Sequence, residues 1–270
     1  MDRLAAVTRA ADTLAAMTEF AHRHGTGAFR RRQLLVAIDD TTVAAGIEDE
    51  MHHFEIRLHH DGETVTAVDG VPVRWPWAPC LDSTQALVAL VGLSIFASPS
   101  EIARWADARH QCTHQFDLAT LAVAHAARQV AGGAPRRDYL TEVPDWHKPP
   151  FTARLWIDGE LSLDWVCSAD AVLEPEQYRG APMRSGFFNW CATHLDADMT
   201  EAAQVLRRAA WISPARTIDL EAADRATDSG IKHGICYTSQ PERLPLAIRS
   251  RGSLRDFSHS SAPLLATFAP

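Results

Sequence analysis

The spacing of apolar residues predicts a helix, a strand and a hairpin in the first part of the chain. Apolar side chains recur at helical spacing over residues 5–20, which predicts a leading helix. The uninterrupted apolar run at residues 34–38 is typical of a buried strand. From His53 onwards apolar and polar residues alternate, and Asp61-Gly62 separates two alternating runs. Such a pair between alternating runs indicates a β-hairpin.

Helical patterns follow this hairpin. Residues 71–79 form a connector rich in Pro and Trp, and helices are predicted at residues 82–93 and 100–108. Ser98 or Ser100 can cap the second of these helices. Thr113 is predicted to cap a longer helix that continues to Gln129.

The second part of the chain shows a similar order of elements. Residues 131–135, Ala-Gly-Gly-Ala-Pro, are the best linker in the chain. A second hairpin is predicted over residues 153–165, again around an Asp-Gly pair. A loop containing prolines follows it, and then helices are predicted near residues 187–194, 200–211 and 219–227.

These elements predict an α+β fold made of two hairpin-plus-helices halves packed together. Residues 1–28 would form the leading helix and linker, residues 29–132 the first half, and residues 138–270 the second. No repeat of individual residues relates the halves, so the evidence for a duplication is weak.

Composition and charge narrow the functional classes. The 270 residues are 46% hydrophobic and 22% charged, which is typical of a globular protein. A formal net charge of −8 argues against a nucleic-acid partner, because phosphate binding calls for a basic surface. Five scattered cysteines do not fit a secreted disulfide framework, and no apolar run fits a signal peptide or a membrane span. We therefore expect a cytoplasmic protein with no membrane partner.

The densest polar cluster covers residues 48–55, Glu-Asp-Glu-Met-His-His-Phe-Glu, at the start of a predicted strand. Histidine is suited to general acid–base catalysis because its free pKa lies near neutrality. His52 and His53 are candidate catalytic residues, although neighbours on a strand point to opposite faces and at most one can enter a shared pocket. A solvated acidic strand entrance is an equally good interpretation.

A second cluster surrounds the predicted start of the long helix. With Thr113 as the cap, Cys112 and His114 flank a helix N-terminus, where a thiol has a lowered pKa and anions are favoured. His114 and Asp117 are three residues apart, so they share a helix face and can hydrogen-bond. This arrangement predicts a site that orients an imidazole, binds a carboxylate or phenolate, or holds a metal, while a capped helix with a buried cysteine is the structural alternative.

Three aromatic residues are further candidates. Trp75 and Trp77 alternate with prolines in a loop, where they can form the wall of a site for a planar ligand or close the hydrophobic core. Tyr237 lies in a turn bounded by glycine and can exchange a proton with a phenolic or alcohol oxygen. Paired loop Trp residues and the apolar content also make a homodimer a possible assembly.

A metal centre is the main alternative. Cys80, Cys112, His114 and Asp117 have side chains of the types that zinc accepts. The long gap between the two cysteines and the absence of a CxxC pair make this spacing a weak signal.

Several segments together resemble a bacterial family known as domain of unknown function 2889. The most specific is Cys112-Thr113-His114 followed by Asp117-Leu118, and the others are residues 48–54, the approach to Cys80, residues 206–209 and residues 252–257. The resemblance extends over residues 29–257. It implies a role in the breakdown of plant-derived aromatic compounds, as a cofactor-independent lyase that releases formaldehyde from the side chain of a lignin-derived aromatic dimer and leaves a stilbene.

The resemblance also implies roles for individual residues. His52, His53 or His114 would act as the base, Tyr237 or Thr113 would hold a phenolate, and Trp75 and Trp77 would stack on the rings of a small aromatic substrate. The first half is also similar to the iron–sulfur scaffold fold, which would place Cys80, Cys112, His114 and Asp117 as ligands of zinc or iron. Three hypotheses follow: a lyase, a metal-binding enzyme or scaffold, and a non-catalytic protein that binds an aromatic acid.

Overall fold

The computed structural model describes residue 25 and residues 27–270, so the predicted leading helix at residues 5–20 lies outside the described part of the chain. The described residues form one antiparallel sheet of eight strands in the order β4-β3-β2-β1-β5-β6-β7-β8. The strands are β1 Ala28–Asp39, β2 Thr42–Glu48, β3 His53–His60, β4 Val65–Arg74, β5 Arg136–Pro144, β6 Phe151–Ile157, β7 Glu160–Cys167 and β8 Val172–Glu174. With the helices described next, this architecture confirms the α+β class.

Four α-helices lie in the same part of the chain. They are α1 Pro99–Trp105, α2 Thr113–Val130, α3 Phe187–His194 and α4 Ala197–Ile212, with a 3-10 helix at Ala78–Leu90 before α1. Helix α2 packs on β1, β2 and β3, whereas α4 packs mainly on β5 and β6. Each half of the sheet is therefore covered by its own long helix.

The two halves meet where β1 pairs with β5, in a register that runs from Ala28 opposite Pro144 to Val36 opposite Arg136. Alternate residues of β1 point to the helix side of the sheet, where Phe29, Arg31, Gln33 and Leu35 are all buried. A hydrophobic strand would place only apolar side chains there. Arg31 and Gln33 instead bring polar groups into the interior at the junction of the halves.

The opposite face of β1 is held by ion pairs and by the C-terminal segment. Arg30 pairs with Glu142 at 2.6 Å, and Arg32 pairs with Asp138 at 2.6 Å. Gly46 on β2 allows the C-terminal segment to approach, since a Cβ there would lie 3.1 Å from side-chain atoms of Leu265 and Phe268. This segment therefore covers part of the second face of the sheet.

The sequence patterns identified both hairpins and all four of the α-helices in the described part of the chain, but they missed three strands. Every residue of β2 is buried, and its Val-Ala-Ala-Gly run has neither alternation nor high β-propensity. Strands β5 and β8 were also missed, because β5 begins with charged residues and β8 has only three. The glycine-rich residues 131–135 form the turn between α2 and β5, within one continuous sheet.

Two helix predictions need correction. The segment predicted as a helix at residues 82–93 is a 3-10 helix that starts earlier, at Ala78, and ends at Leu90. The helix predicted at residues 219–227 is wrong. The Asp219 carboxylate accepts the N–H groups of Glu221 and Ala222, each at 3.1 Å, and this local turn competes with a helical backbone. The helical part of this segment is the start of the short 3-10 helix Ala226–Ser229.

Over residue 25 and residues 27–270, none of the helices has both the length and the apolar composition needed to cross a bilayer.

We expect Leu35→Ala to destabilise the whole protein, because Leu35 is 0% exposed at the junction of the two halves. Removal of a buried leucine side chain costs about 2–5 kcal/mol of unfolding free energy. Urea unfolding followed by circular dichroism should show one transition with a lower midpoint. Leu161→Ala is the matched control, since Leu161 is 54% exposed and should change the free energy by less than about 0.5 kcal/mol. Separate transitions for the two halves would contradict the shared-sheet architecture.

Candidate active site

A tight loop between β2 and β3 places a carboxylate inside the protein. Asp49 Oδ1 accepts the backbone N–H groups of Met51 and His52, each at 2.9 Å, and the Asp49 N–H donates to the His52 carbonyl at 2.9 Å. The Asp49 side chain is 1% exposed. The hydrogen bonds within this loop therefore fix the direction of the Asp49 carboxylate.

Two imidazoles share this carboxylate. His114 Nε2 lies 3.0 Å from Asp49 Oδ2, and His52 Nδ1 lies 3.2 Å from Asp49 Oδ1. The two rings stack with centroids 3.7 Å apart and an angle of 24° between their planes. The first turn of α2 supplies His114, and the β2–β3 loop supplies His52. Residues that are far apart in the sequence thus form one compact cluster.

Electrostatics and burial set the ionisation states of Asp49 and His114 near neutral pH. Burial raises the pKa of a carboxyl group, yet the pKa of Asp49 lies well below its ordinary value because His114 and His52 interact with its charge and hydrogen-bond to it. Burial, reinforced by the neighbouring His52, lowers the pKa of His114 to about 3. Near neutrality the site therefore contains a carboxylate beside a neutral His114 imidazole.

This contact determines the tautomer of His114. A carboxylate only accepts hydrogen bonds, so the single proton of the neutral ring lies on Nε2 and the lone pair on Nδ1. The hydroxyl of Thr113 is 3.4 Å from this Nδ1 atom. His114 therefore has an accepting nitrogen on the side away from Asp49, as a general base requires.

The start of α2 differs from the prediction at Cys112. Cys112 is the N-cap, and Thr113 is the first helical residue instead of the cap. Burial raises the pKa of the Cys112 thiol to about 11, although the N–H groups of Gln115 and His114 act in the opposite direction. The expected lowering of this pKa is wrong, because loss of solvation outweighs the effect of the helix N-terminus. Cys112 is therefore a protonated, buried thiol.

The position of Asp117 on the helix had predicted a hydrogen bond to His114. The structure contradicts this prediction. The Asp117 carboxylate pairs with Arg208 of α4, where Nε lies 2.9 Å from Oδ2 and Nη2 donates to Oδ1 at 3.0 Å. Arg31 of β1 approaches the same carboxylate at 3.8 Å. His114 is held instead by Asp49, a residue that no pattern in the sequence had singled out. The spacing of Asp49 and His52, with two residues between them, is the signal that could have identified it.

His53 points away from this cluster, as the alternation along a strand predicted. Its Nε2 is 3.2 Å from Glu55 Oε1, and its Nδ1 is 3.7 Å from Glu48 Oε1. It lines a groove of about 550 Å³ on the face of the sheet opposite α2, together with Arg74, Trp75 and residues of the C-terminal segment. His52 and His53 therefore belong to different environments.

The two loop tryptophans also separate. Trp75 is half-buried and lines the groove with His53. Trp77 is 4% exposed and belongs to the hydrophobic core, with the guanidinium of Arg249 5.8 Å from its ring centroid. This position fits the alternative interpretation, that Trp77 closes the hydrophobic core, better than a stacking contact with a ligand.

Tyr237 lies near the start of α2, and its ring packs against Arg243. Its backbone N–H donates to the carbonyl of Gln111 at 2.8 Å, and the guanidinium of Arg243 lies 3.8 Å from its ring centroid. These contacts anchor the turn against the residue before the Cys112 cap. They do not involve the Asp49 cluster.

The four residues considered as metal ligands are not assembled into one site. Cys80 Sγ lies 3.1 Å from the hydroxyl of Thr238, and burial raises the pKa of its thiol. Asp117 is bound by arginines, and His114 by Asp49. In the part of the chain that the structure describes, the one set of three His, Cys, Asp or Glu ligand atoms within 4.8 Å of each other is Asp49, His52 and His114.

Comparisons with known proteins add no family assignment. No model of a known protein family matches the sequence, and no curated protein matches it significantly.

We expect His114→Gln to change how stability depends on pH. Between pH 3 and 6.5 the unfolded chain binds a proton on His114 that the folded protein excludes, so acidification through this range destabilises the wild type. The unfolding free energy should fall by up to about 1.4 kcal/mol per pH unit from this residue. Gln can still donate to Asp49 but does not titrate, so its variant should lack this part of the slope.

The measurement is urea unfolding of wild type and His114→Gln between about pH 5 and 7. His59→Gln is the control, because the His59 side chain is 38% exposed, and this variant should keep the wild-type slope. Equal slopes in wild type and His114→Gln would show that His114 is not the buried neutral group described here.

Thiol labelling should separate Cys236 from the other four cysteines. Cys80, Cys112, Cys167 and Cys191 are buried, whereas Cys236 is half-buried. Because the thiolate is the reactive form, iodoacetamide at about pH 7.5 should modify the native protein once, at Cys236. Intact-mass spectrometry should show one adduct on the native protein, five after unfolding and none on native Cys236→Ser. Rapid labelling of Cys112 in the native state would refute its raised pKa.

Proposed function

We propose that the protein is a cofactor-independent carbon–carbon lyase that releases formaldehyde from the side chain of a lignin-derived aromatic dimer, with His114 as the general base. The main support is the contact of 3.0 Å between His114 Nε2 and Asp49 Oδ2. It holds the imidazole in the tautomer whose Nδ1 accepts a proton. The carboxylate also stabilises the imidazolium that forms during proton transfer.

This reaction balances without an oxidant or a reductant. His114 Nδ1 takes the proton of the side-chain hydroxyl, and the O–H electron pair becomes the second bond of the formaldehyde carbonyl. The pair of the broken carbon–carbon bond forms the stilbene alkene while an aryl ether oxygen leaves the adjacent carbon. The imidazolium returns its proton to that oxygen, which restores the neutral base.

The other histidines have different assignments in this proposal. His52 is a positioning residue, because it hydrogen-bonds the second oxygen of Asp49 and so fixes the carboxylate that orients His114. His53 is assigned no catalytic role, since it contacts Glu48 and Glu55 in the groove on the other face of the sheet. Trp75 shares that groove and is likewise not assigned to the reaction.

A zinc or iron site at Asp49, His52 and His114 fits by ligand type but not by orientation. The ligand atoms lie within 4.8 Å of each other. The lone pair of an imidazole nitrogen lies in the ring plane, and a metal binds along it at about 2.0–2.1 Å. Two rings stacked at 3.7 Å with a tilt of 24° have planes that do not meet within this distance. The geometry therefore favours hydrogen bonding over shared metal ligation.

Formaldehyde release from an aromatic dimer with a hydroxymethyl side chain and a neighbouring aryl ether should depend on His114 and Asp49. Loss of a general base lowers the rate by about 10²–10⁴-fold, and we expect this for His114→Gln. Asp49→Asn should lower kcat as well, because an amide can donate to His114 and hold the wrong tautomer. The assay quantifies formaldehyde and the stilbene product in equal amounts.

Two controls separate this proposal from its alternatives. His59→Gln should retain full activity, since the His59 side chain is exposed and lies beside Asp69, outside the Asp49 cluster. Activity should survive a chelator, and elemental analysis should find no stoichiometric metal. One zinc or iron per chain that is lost in His114→Gln would replace the lyase by a metal-dependent enzyme. Ligand-dependent quenching of Trp fluorescence without turnover would instead indicate a binding protein.

The pH dependence of kcat/KM provides a further test. Because burial and His52 lower the pKa of His114 to about 3, the base is already neutral throughout the range from pH 5 to 8. The rate should therefore lack the acidic limb near pH 6.5 that an exposed histidine base produces. A limb near pH 6.5 in wild type would assign the base to a different histidine.

A further inference from the structure

Arg31 is a buried cation whose side chain has no hydrogen-bonded partner. It lies on β1, at the junction of the two halves, and its side chain is 1% exposed. None of its three side-chain nitrogens, Nε, Nη1 and Nη2, has a hydrogen-bond partner among the described residues. A guanidinium carries five N–H donors, and burial of a charged group without partners is strongly unfavourable. Such a side chain is expected to have a partner that the protein itself does not supply.

The nearest carboxylate does not fill this role. Asp117 Oδ2 is 3.8 Å from Arg31 Nη2, which is too far for a hydrogen bond. Arg208 pairs with this carboxylate, with Nη2 donating to Oδ1 at 3.0 Å and Nε lying 2.9 Å from Oδ2, although Oδ2 itself forms no hydrogen bond among the described residues. Asp117 therefore offsets part of the charge of Arg31 from a distance and leaves its donors unused.

Arg31 belongs to the same interior region as the Asp49 cluster. Arg32 pairs with Glu48 across β1 and β2, so the next positions along this antiparallel pair are Arg31 and Asp49. Both side chains lie on the helix side of the sheet, under α2. Burial and His52 lower the pKa of His114 most, Asp49 acts in the opposite direction, and the charge of Arg31 lowers it further. The unpartnered guanidinium is thus a neighbour of the proposed base.

We propose that Arg31 is the anion-binding residue of this site and takes a planar oxyanion, a carboxylate or a phenolate, of an aromatic substrate. The guanidinium fork matches a carboxylate with two parallel hydrogen bonds, and two of its N–H groups can donate to the single oxygen of a phenolate. The anion would lie between β1 and the start of α2, close to His114 Nδ1. This assignment rests on the proposed function for the reaction that the bound anion undergoes. The binding of the anion does not depend on that reaction and can be measured without turnover.

Calorimetric titration of the whole protein with three probes tests this assignment. Benzoate supplies the carboxylate, 4-nitrophenolate supplies the phenolate, and benzamide is the neutral control with a similar shape. Wild type should bind at least one of the two anions more tightly than benzamide, and the preferred anion identifies the oxyanion. Arg31→Met should weaken the binding of the preferred anion by about tenfold or more, since hydrogen bonds to a charged group are lost. Benzamide binding should not change.

Arg32→Met is the matched control, since Arg32 is the next residue of β1, points to the opposite face and pairs with Asp138 at 2.6 Å. It should bind the anions as wild type does. Arg31→Met should also unfold at an equal or higher urea concentration than wild type without ligand, because it removes an unpartnered buried charge. A purely structural role for Arg31 predicts the reverse, a lower midpoint together with unchanged anion affinity, and would overturn the proposal.

Arg31→Lys keeps the charge without the fork and should bind the preferred anion more weakly than wild type but more tightly than Arg31→Met. Failure of wild type to bind either anion above its affinity for benzamide would also overturn the proposal, even if formaldehyde release is found. Arg31-dependent anion binding without formaldehyde release would leave the anion site established and refute the lyase. The two proposals therefore fail in distinguishable ways.

Discussion

The pairing of β1 with β5 is the constraint on which the rest of the architecture depends. It joins two four-stranded meanders into one sheet, and it places α2 and α4 on the same face. A site can then be built from both halves, as the ion pair between Asp117 of α2 and Arg208 of α4 illustrates. If the halves were separate domains joined by the glycine-rich turn, Arg31 would lie at an edge strand and would be open to solvent. Because β5 covers that edge, the guanidinium is held inside.

The buried charge of Asp49 imposes a second set of requirements. An ionised carboxylate in the interior needs several hydrogen bonds to compensate for its lost solvation. The β2–β3 loop supplies two backbone N–H groups, and two imidazoles supply the remainder. These demands fix the loop conformation, the ring orientation of His52 and the position of the first turn of α2 relative to the sheet. The geometry on which the proposed role of His114 rests is therefore a consequence of how the protein compensates one buried carboxylate for its lost solvation.

The sequence predicted local structure well where residues close together in the chain determine it. The two Asp-Gly turns and the amphipathic helices are local features, and both appear in the fold. Strand β2 was missed because its burial comes from neighbours on both faces, which alternation cannot reveal. His52 and His114 were selected as candidates by residue type, but their shared partner Asp49 lies 65 residues from His114. Likewise, the pKa of Cys112 depends on burial, a tertiary property that outweighs the local helix terminus.

Arg31 illustrates how a violation of packing rules can indicate function. The run Arg30-Arg31-Arg32 looks in the sequence like a solvated basic segment, and two of its members do pair with carboxylates on the open face of the sheet. The third is turned inward by strand alternation alone, at a position where an apolar side chain would stabilise the fold more. Stability alone favours an apolar residue at this position, whereas the proposed anion site requires the guanidinium. Because the same region contains a carboxylate-held imidazole, binding and proton transfer would be combined within one interior site formed around β1 and α2.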